Sequence, residues 1–227
     1  MEQHPPAPGD TSFVRRADQL PEALVAAGVL VGTGVVADRG VPAAEERVFR
    51  DIFGLPNWLE PVLWPPMQMG SLWGPFIAGG LAWWRWRSWR PALGAVVCGV
   101  VSWQLAKVVK GFVQRGRPVD ELDGVIRRWG TPKDGLGFVS GHSAVVASVV
   151  TALSPYVSRR DRWLLRLLAV VVATARIHVG AHLPVDTVGG AGLGVVVGHV
   201  WRFAVGDPTS PPSPVRRDVT DDRDAFS

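Results

Sequence analysis

Three short stretches of this sequence combine cations, histidines and a carboxylate at spacings suited to handling a phosphate. The first runs Lys110-Gly111-Phe112-Val113-Gln114-Arg115-Gly116-Arg117-Pro118. Lys110 and Arg117 stand two helical turns apart, so a continuing helix would put both on one face. Two fixed cations suit an anion, the lysine as a point charge and the arginine as a planar fork of donors. At a membrane boundary the same residues would simply meet lipid headgroups. The second stretch is Phe138-Val139-Ser140-Gly141-His142-Ser143, a glycine-containing turn that feeds an apolar run. A helix N-terminus there would point N–H groups and a favourable dipole at an anion, with His142 beside it. A plain N-cap role for Ser140 fits the same residues. The third runs Ala175-Arg176-Ile177-His178-Val179-Gly180-Ala181-His182-Leu183-Pro184-Val185-Asp186. His182 and Asp186 are four apart, so the carboxylate can accept a hydrogen bond from one ring nitrogen and leave the other free to attack. His178, His182 and Asp186 also have i, i+4, i+8 spacing that suits a metal, although Pro184 interrupts a regular helix presenting all three.

The elements that must position these residues are apolar. The chain has 227 residues, enough for one core or one membrane bundle, and charged residues make up only 19% of it. Polar residues gather at the ends, which sets expected boundaries: a polar, disordered tail over 1–20, a membrane domain over 21–205, and a second polar, disordered tail over 206–227. Windows long enough to cross a bilayer as helices fall near 22–38, 66–84, 91–109, 141–157, 163–180 and 185–205. The expected fold is therefore all-α, a polytopic bundle of about six transmembrane helices. Most of the eleven tryptophans lie near the ends of these windows, as in an aromatic belt. Residues 45–63 alternate charged and apolar positions up to Pro56 and read as an interfacial or plain surface element. The first twenty residues contain no apolar stretch of the signal-peptide kind, so the first window is expected to remain in the protein.

Charge and cysteine content exclude other classes. The single cysteine, Cys98, rules out an intramolecular disulfide framework and a cysteine-based zinc ribbon. The net charge of +4 is spread in short clusters between apolar runs, which argues against nucleic acid as a partner. Arg85, Arg87 and Arg90 follow the second window, and Arg159, Arg160 and Arg162 follow the fourth. The positive-inside bias places both loops in the cytoplasm, together with the two ends of the chain. The loop between the third and fourth windows then lies outside, yet carries Lys110, Arg115, Arg117, Arg127, Arg128 and Lys133. Cations set against the topology bias call for an anionic substrate.

Taken in order, the three stretches resemble the signature of the type 2 phosphatidic acid phosphatase superfamily, which includes vanadium haloperoxidases and bacterial acid phosphatases. That signature reads Lys-x6-Arg-Pro, then Pro-Ser-Gly-His, then Ser-Arg-x5-His-x3-Asp. Lys110, Arg117 and Pro118 match the first part, Ser140, Gly141 and His142 the second, and Arg176, His182 and Asp186 the third. Val139 and Ala175 stand where the family usually has Pro and Ser. The resemblance spans about 66–205, with the motifs inside 107–190. It implies an integral membrane enzyme of the plasma membrane that hydrolyses a lipid phosphate monoester or pyrophosphate without metal or other cofactor, its site at the extracytoplasmic helix ends. In that reading His182 is the nucleophile that forms a phosphohistidine, Asp186 supports it, and His142 is the general acid and then base. Lys110, Arg117, Ser140, Gly141 and Arg176 hold the phosphate, and His178 is structural. Phosphatidic acid, phosphatidylglycerol phosphate and polyprenyl (pyro)phosphates all fit as substrates, with membrane lipids the other expected partners. The rival expectations are a non-catalytic anionic-lipid binder or transporter, and a metal-dependent membrane hydrolase built on His178, His182 and Asp186.

Overall fold

A computed structural model describes residues 13–14 and 19–209. Apart from the segments touched on below, the two expected polar tails lie outside the described residues. Among those described, helices dominate: α1 (Leu20–Asp38), α2 (Ala43–Phe53), α3 (Leu59–Gln68), α4 (Trp73–Trp86), α5 (Trp89–Phe112), the single turn α6 (Pro118–Glu121), α7 (Gly141–Leu153), α8 (Arg159–His178) and α9 (Pro184–Val205). Two short strands, β1 (Phe13–Val14) and β2 (Asp207–Pro208), pair antiparallel. The pairing lies within the stretches expected as tails. It is tied down by Asp207, which accepts hydrogen bonds from Arg202 at 2.6 Å and from Gln19 at 2.7 Å.

The organising element is α7. Its residues are short, mostly Ala, Ser and Val, and all but three of them are buried. It packs against α5, α8, α9 and α4, while α1 lies on α9, α4 on α5 and α3 on α8. Close approach of α7 and α9 rests on a glycine stripe, Gly190, Gly194 and Gly198, one residue per turn on the face of α9 that meets α7. A Cβ on Gly194 would overlap the Ala144 carbonyl, and one on Gly190 the Ser140 carbonyl. Small residues of this kind let membrane helices touch backbone to backbone, where dispersion replaces the hydrophobic driving force. Outward faces are apolar instead: Leu24, Val25 and Val31 on α1, Phe76, Ile77 and Leu81 on α4, and Leu164, Leu167 and Val170 on α8 are all exposed.

Among the described residues three helices, α1, α5 and α9, are long and apolar enough to cross a membrane. The window at 66–84 is corrected: it is not one helix but the end of α3, a turn over 69–72, and α4. Hydropathy averaging runs across that turn. Ser71 bonds back to the Gln68 carbonyl at 2.6 Å and ends α3. Gly70 sits so close to the His142 backbone that no side chain fits. The 14 residues of α4 and 13 of α7 span only about 20 Å each at the usual rise, short of the ~30 Å hydrocarbon core. Residues 45–63 divide at Gly54–Trp58 into α2 and the start of α3, as Pro56 dictates.

Candidate active site

The loop 113–140 between α5 and α7 is drawn back over the end of the bundle by its own hydrogen bonds. The Gly137 N–H donates to the Arg115 carbonyl at 2.8 Å, and the Ser140 N–H to the Asp186 carbonyl at 2.9 Å. These contacts carry the second motif to the third, since Ser140 caps α7 and Asp186 is the third residue of α9. Helix α9 starts cleanly because Pro184 has no N–H to leave unpaired and Asp186 Oδ2 accepts from the Leu183 N–H at 2.9 Å.

Six of the motif residues line one cavity of about 210 Å³: Lys110, Arg117, Gly141, His142, Arg176 and His182. Half-buried Trp103 and exposed Lys107, on α5, edge it. Ser140 and Asp186 lie directly behind, fully buried. Lys110 and Arg117 do not reach the cavity from one helical face, as the spacing suggested. Helix α5 stops at Phe112, and Arg117 returns from the loop as the residue before Pro118. Each cation is held by backbone carbonyls: Lys110 Nζ donates to Leu136 and Gly137, both at 2.8 Å. Arg117 donates to Ala181 at 2.8 Å and Arg176 to Gly130 at 3.1 Å. These neutral acceptors fix the cations without spending their charge. Gly130 must be glycine, because its φ of +89° excludes most side chains and the Trp64 ring, stacked on Trp129, occupies the space of a Cβ.

His182 is 3% exposed and its Nδ1 lies 3.7 Å from Asp186 Oδ2. That is close enough for charge interaction and too long for the hydrogen bond expected from the spacing. Nδ1 makes no hydrogen bond of ordinary geometry among the described residues, and the Gly137 backbone beside the ring favours its proton. The carboxylate is otherwise engaged, Oδ2 by the Leu183 N–H and Oδ1 by Arg115 at 3.1 Å. Burial, and then Arg176, Lys110 and Arg117, hold the His182 imidazole well below the usual histidine range, so it stands neutral with a lone pair to offer. His142 lies across the cavity with its ring tilted against Trp103, centroids 5.9 Å apart.

His178 points elsewhere: Nδ1 faces the Ile52 carbonyl at 3.1 Å, and Arg128 packs on the ring. The metal trio of His178, His182 and Asp186 is therefore not assembled, and no group of three potential metal ligands is gathered among the described residues. A larger cavity, about 510 Å³, opens at the other end of α7 and α9 beside Arg162, His199 and Arg202, and contains none of the motif residues.

Two buried residues next to the site were not singled out from the sequence. Arg115 was read as one more loop cation, and Glu45 as part of an interfacial element. The Arg115 Nη2 to Glu45 Oε2 distance is 2.6 Å, with both side chains almost wholly buried. Only a contact across 70 positions joins them, so no local pattern could have revealed it.

By fold and site the molecule is a helical integral membrane protein with a cationic, histidine-bearing pocket at one end of its bundle. The chain belongs to the PAP2 superfamily, whose family model matches residues 87–208, more than half its length. Two solved structures share the fold. The crystal structure of the first transmembrane PAP2 type phosphatidylglycerolphosphate phosphatase from Bacillus subtilis aligns with a TM-score of 0.61 and 20% identity, covering 78% of this chain and 94% of that one. LpxE from Aquifex aeolicus aligns with a TM-score of 0.60 and 24% identity, covering 70% and 95%. No curated protein matches the sequence.

Proposed function

We propose that this protein is an integral membrane phosphatase that hydrolyses the phosphate monoester or pyrophosphate of a lipid through a phosphohistidine, without a metal. The observation that carries this reading is the meeting, in one small cavity, of six motif residues from three separated segments. Membership of the PAP2 superfamily supports it.

In the first step the His182 nitrogen remote from Asp186 attacks phosphorus while the bond to the leaving oxygen breaks. His142 enters protonated and gives that oxygen its proton. The ring of His182 gains positive charge as the P–N bond forms, and Asp186 stabilises it. In the second step neutral His142 takes a proton from water, whose oxygen attacks phosphorus and releases His182 and inorganic phosphate. Lys110, Arg117, Arg176 and the first N–H groups of α7 hold the equatorial oxygens, where transition-state charge accumulates. Ser140 positions that helix end through its contact with Ser143.

A cavity of about 210 Å³ admits a phosphate but not a whole lipid, so the chain of the substrate stays in the bilayer. In this reading α4, α7 and α8 complete a six-helix bundle with α1, α5 and α9, residues 21–205 form the membrane domain, and the site faces outside the cytoplasm. The arginines at 85–90 lie near the opposite end of α7, where Trp86 meets Tyr156 with centroids 6.1 Å apart, and those at 159–162 open α8 just beyond.

The test is phosphate release by the purified protein from a panel of phosphatidic acid, phosphatidylglycerol phosphate and polyprenyl (pyro)phosphates in EDTA. Release that survives EDTA and is blocked by vanadate, a mimic of the five-coordinate transition state, is expected. Release from none of the panel, or loss in EDTA restored by Mg²⁺ or Zn²⁺, overturns the proposal.

A further inference from the structure

Asp186 faces a problem of charge that the motif residues alone do not solve. It is completely buried, and a buried carboxylate must be paired. Its partner is Arg115, Nη1 to Oδ1 at 3.1 Å. Taken as an isolated pair, Arg115 and Asp186 sum to zero, and little negative field would remain for the imidazolium that forms on His182. The same Arg115, however, also grips Glu45 with both prongs of its guanidinium, at 3.1 and 2.6 Å, and donates to the Gly40 carbonyl at 3.1 Å. Glu45 Oε1 in turn accepts the backbone N–H of Val185, the residue before Asp186, at 2.8 Å. Two carboxylates therefore share one guanidinium, the trio carries a net charge of −1, and its Asp186 Oδ2 lies 3.7 Å from His182 Nδ1.

We propose that Glu45 and Arg115 are positioning residues for the nucleophile: Arg115 holds the Asp186 carboxylate in place, and Glu45 restores the negative charge that Arg115 would otherwise cancel. This rests on the reading of His182 as nucleophile. Nδ1 of His182 faces the trio, so the proton belongs on Nδ1 and the lone pair on the nitrogen turned to phosphorus. The arrangement also explains how a residue of α2, outside the stretch matched by the family model, enters the chemistry. It clamps the start of α9 at Val185 and the loop at Arg115 in one contact.

Glu45→Gln removes the charge while its amide oxygen can still accept from Val185 and from Arg115 Nη1, at the cost of the bond from Nη2. In the full-length protein, kcat for lipid phosphate hydrolysis is expected to fall about 10- to 100-fold, the size of loss seen when the partner behind a metal-ligating histidine is removed. KM and inhibition by inorganic phosphate should stay within about threefold, since the cavity cations are untouched. Arg115→Lys, which keeps the charge but cannot fork between two carboxylates, should do the same. In an Asp186→Asn background Glu45→Gln should cost little more, because the two act as one unit. A Glu45→Gln protein with wild-type kcat, a change confined to KM, or full additivity with Asp186→Asn overturns the proposal. A readout independent of turnover is the ¹⁵N spectrum of His182. The wild type should show one tautomer protonated at Nδ1, and Glu45→Gln a mixture. If the wild type proves inactive on every lipid phosphate, the functional reading fails while the spectrum still decides the trio: an unchanged tautomer in Glu45→Gln sinks it.

Discussion

At the scale of single residues two histidines share one cavity and, in the proposed mechanism, divide its chemistry. His182, buried and surrounded by cations, is kept neutral, and His142 lines the same cavity from the first turn of α7 as the proposed acid and base. Removing the first should abolish turnover: His182→Ala is expected to lose nearly all phosphate release, while His178→Ala, which alters only the contact with Ile52 and Arg128, should keep most of it. Initial rates of the two purified variants decide this, and equal inactivity with bound zinc would favour a metal site. The lowered affinity of His182 for protons also has a thermodynamic sign. The unfolded chain takes up a proton near pH ~6.5 that the native state refuses until the pH falls further, so stability present above ~6.5 is lost on acidification toward the lowered native value. Melting temperatures measured from pH 7.5 down to 5 should therefore fall more steeply for the wild type than for His182→Asn. Parallel curves would mean an ordinary histidine. Lys110, Arg117, Ser140, Gly141, His142, Arg176, His182 and Asp186 were all legible in the sequence as candidates because motif spacing survives translation into chain order. Glu45 and Arg115 were not, since what identifies them is a pairing between distant segments buried together.

At the scale of elements the sequence showed where apolar runs lie but not how they are cut. The run at 66–84 divides because a turn at Gly70 must pass under His142, a tertiary demand that no hydropathy window registers. Lys110 and Arg117 come together by a folded loop, not by helical periodicity, because carbonyls of residues 134, 136, 137 and 181 are available to hold them. Contact between α7 and α9 is the support for all of this, as it joins the helix carrying His142 to the one carrying Asp186. Gly194→Leu should destabilise the protein by about 1–3 kcal/mol or more through overpacking against the Ala144 backbone. Gly28→Ala, on a face of α1 with open space around it, should be neutral or slightly stabilising. Reversible SDS titration of the two variants distinguishes them; equal stability would show that the stripe is not a packing contact.

Across the whole molecule the motif cavity and the arginine-rich turns occupy opposite ends of α7, a polarity that should translate into sidedness. In a Cys98→Ala background, a cysteine at Asp123 should react with an impermeant thiol reagent on intact cells and one at Ser88 should not; the reverse pattern would put the site in the cytoplasm. The pairing of β1 with β2 adds a different kind of constraint. Phe13 lies opposite Pro208, beyond the end of α7 remote from His142, so the described chain is nearly a ring. A short linker from residue 209 back to residue 13 would close it, and the turn between α2 and α3 offers a place to open new ends. Such a circular permutant is expected to retain phosphate release, which an assay of the purified protein would check. The same closure ties the start of α1 to the end of α9: Asp207 accepts from Gln19 at one end and from Arg202 at the other, so hydrogen-exchange protection of the two helix ends is expected to fall together in Asp207→Ala.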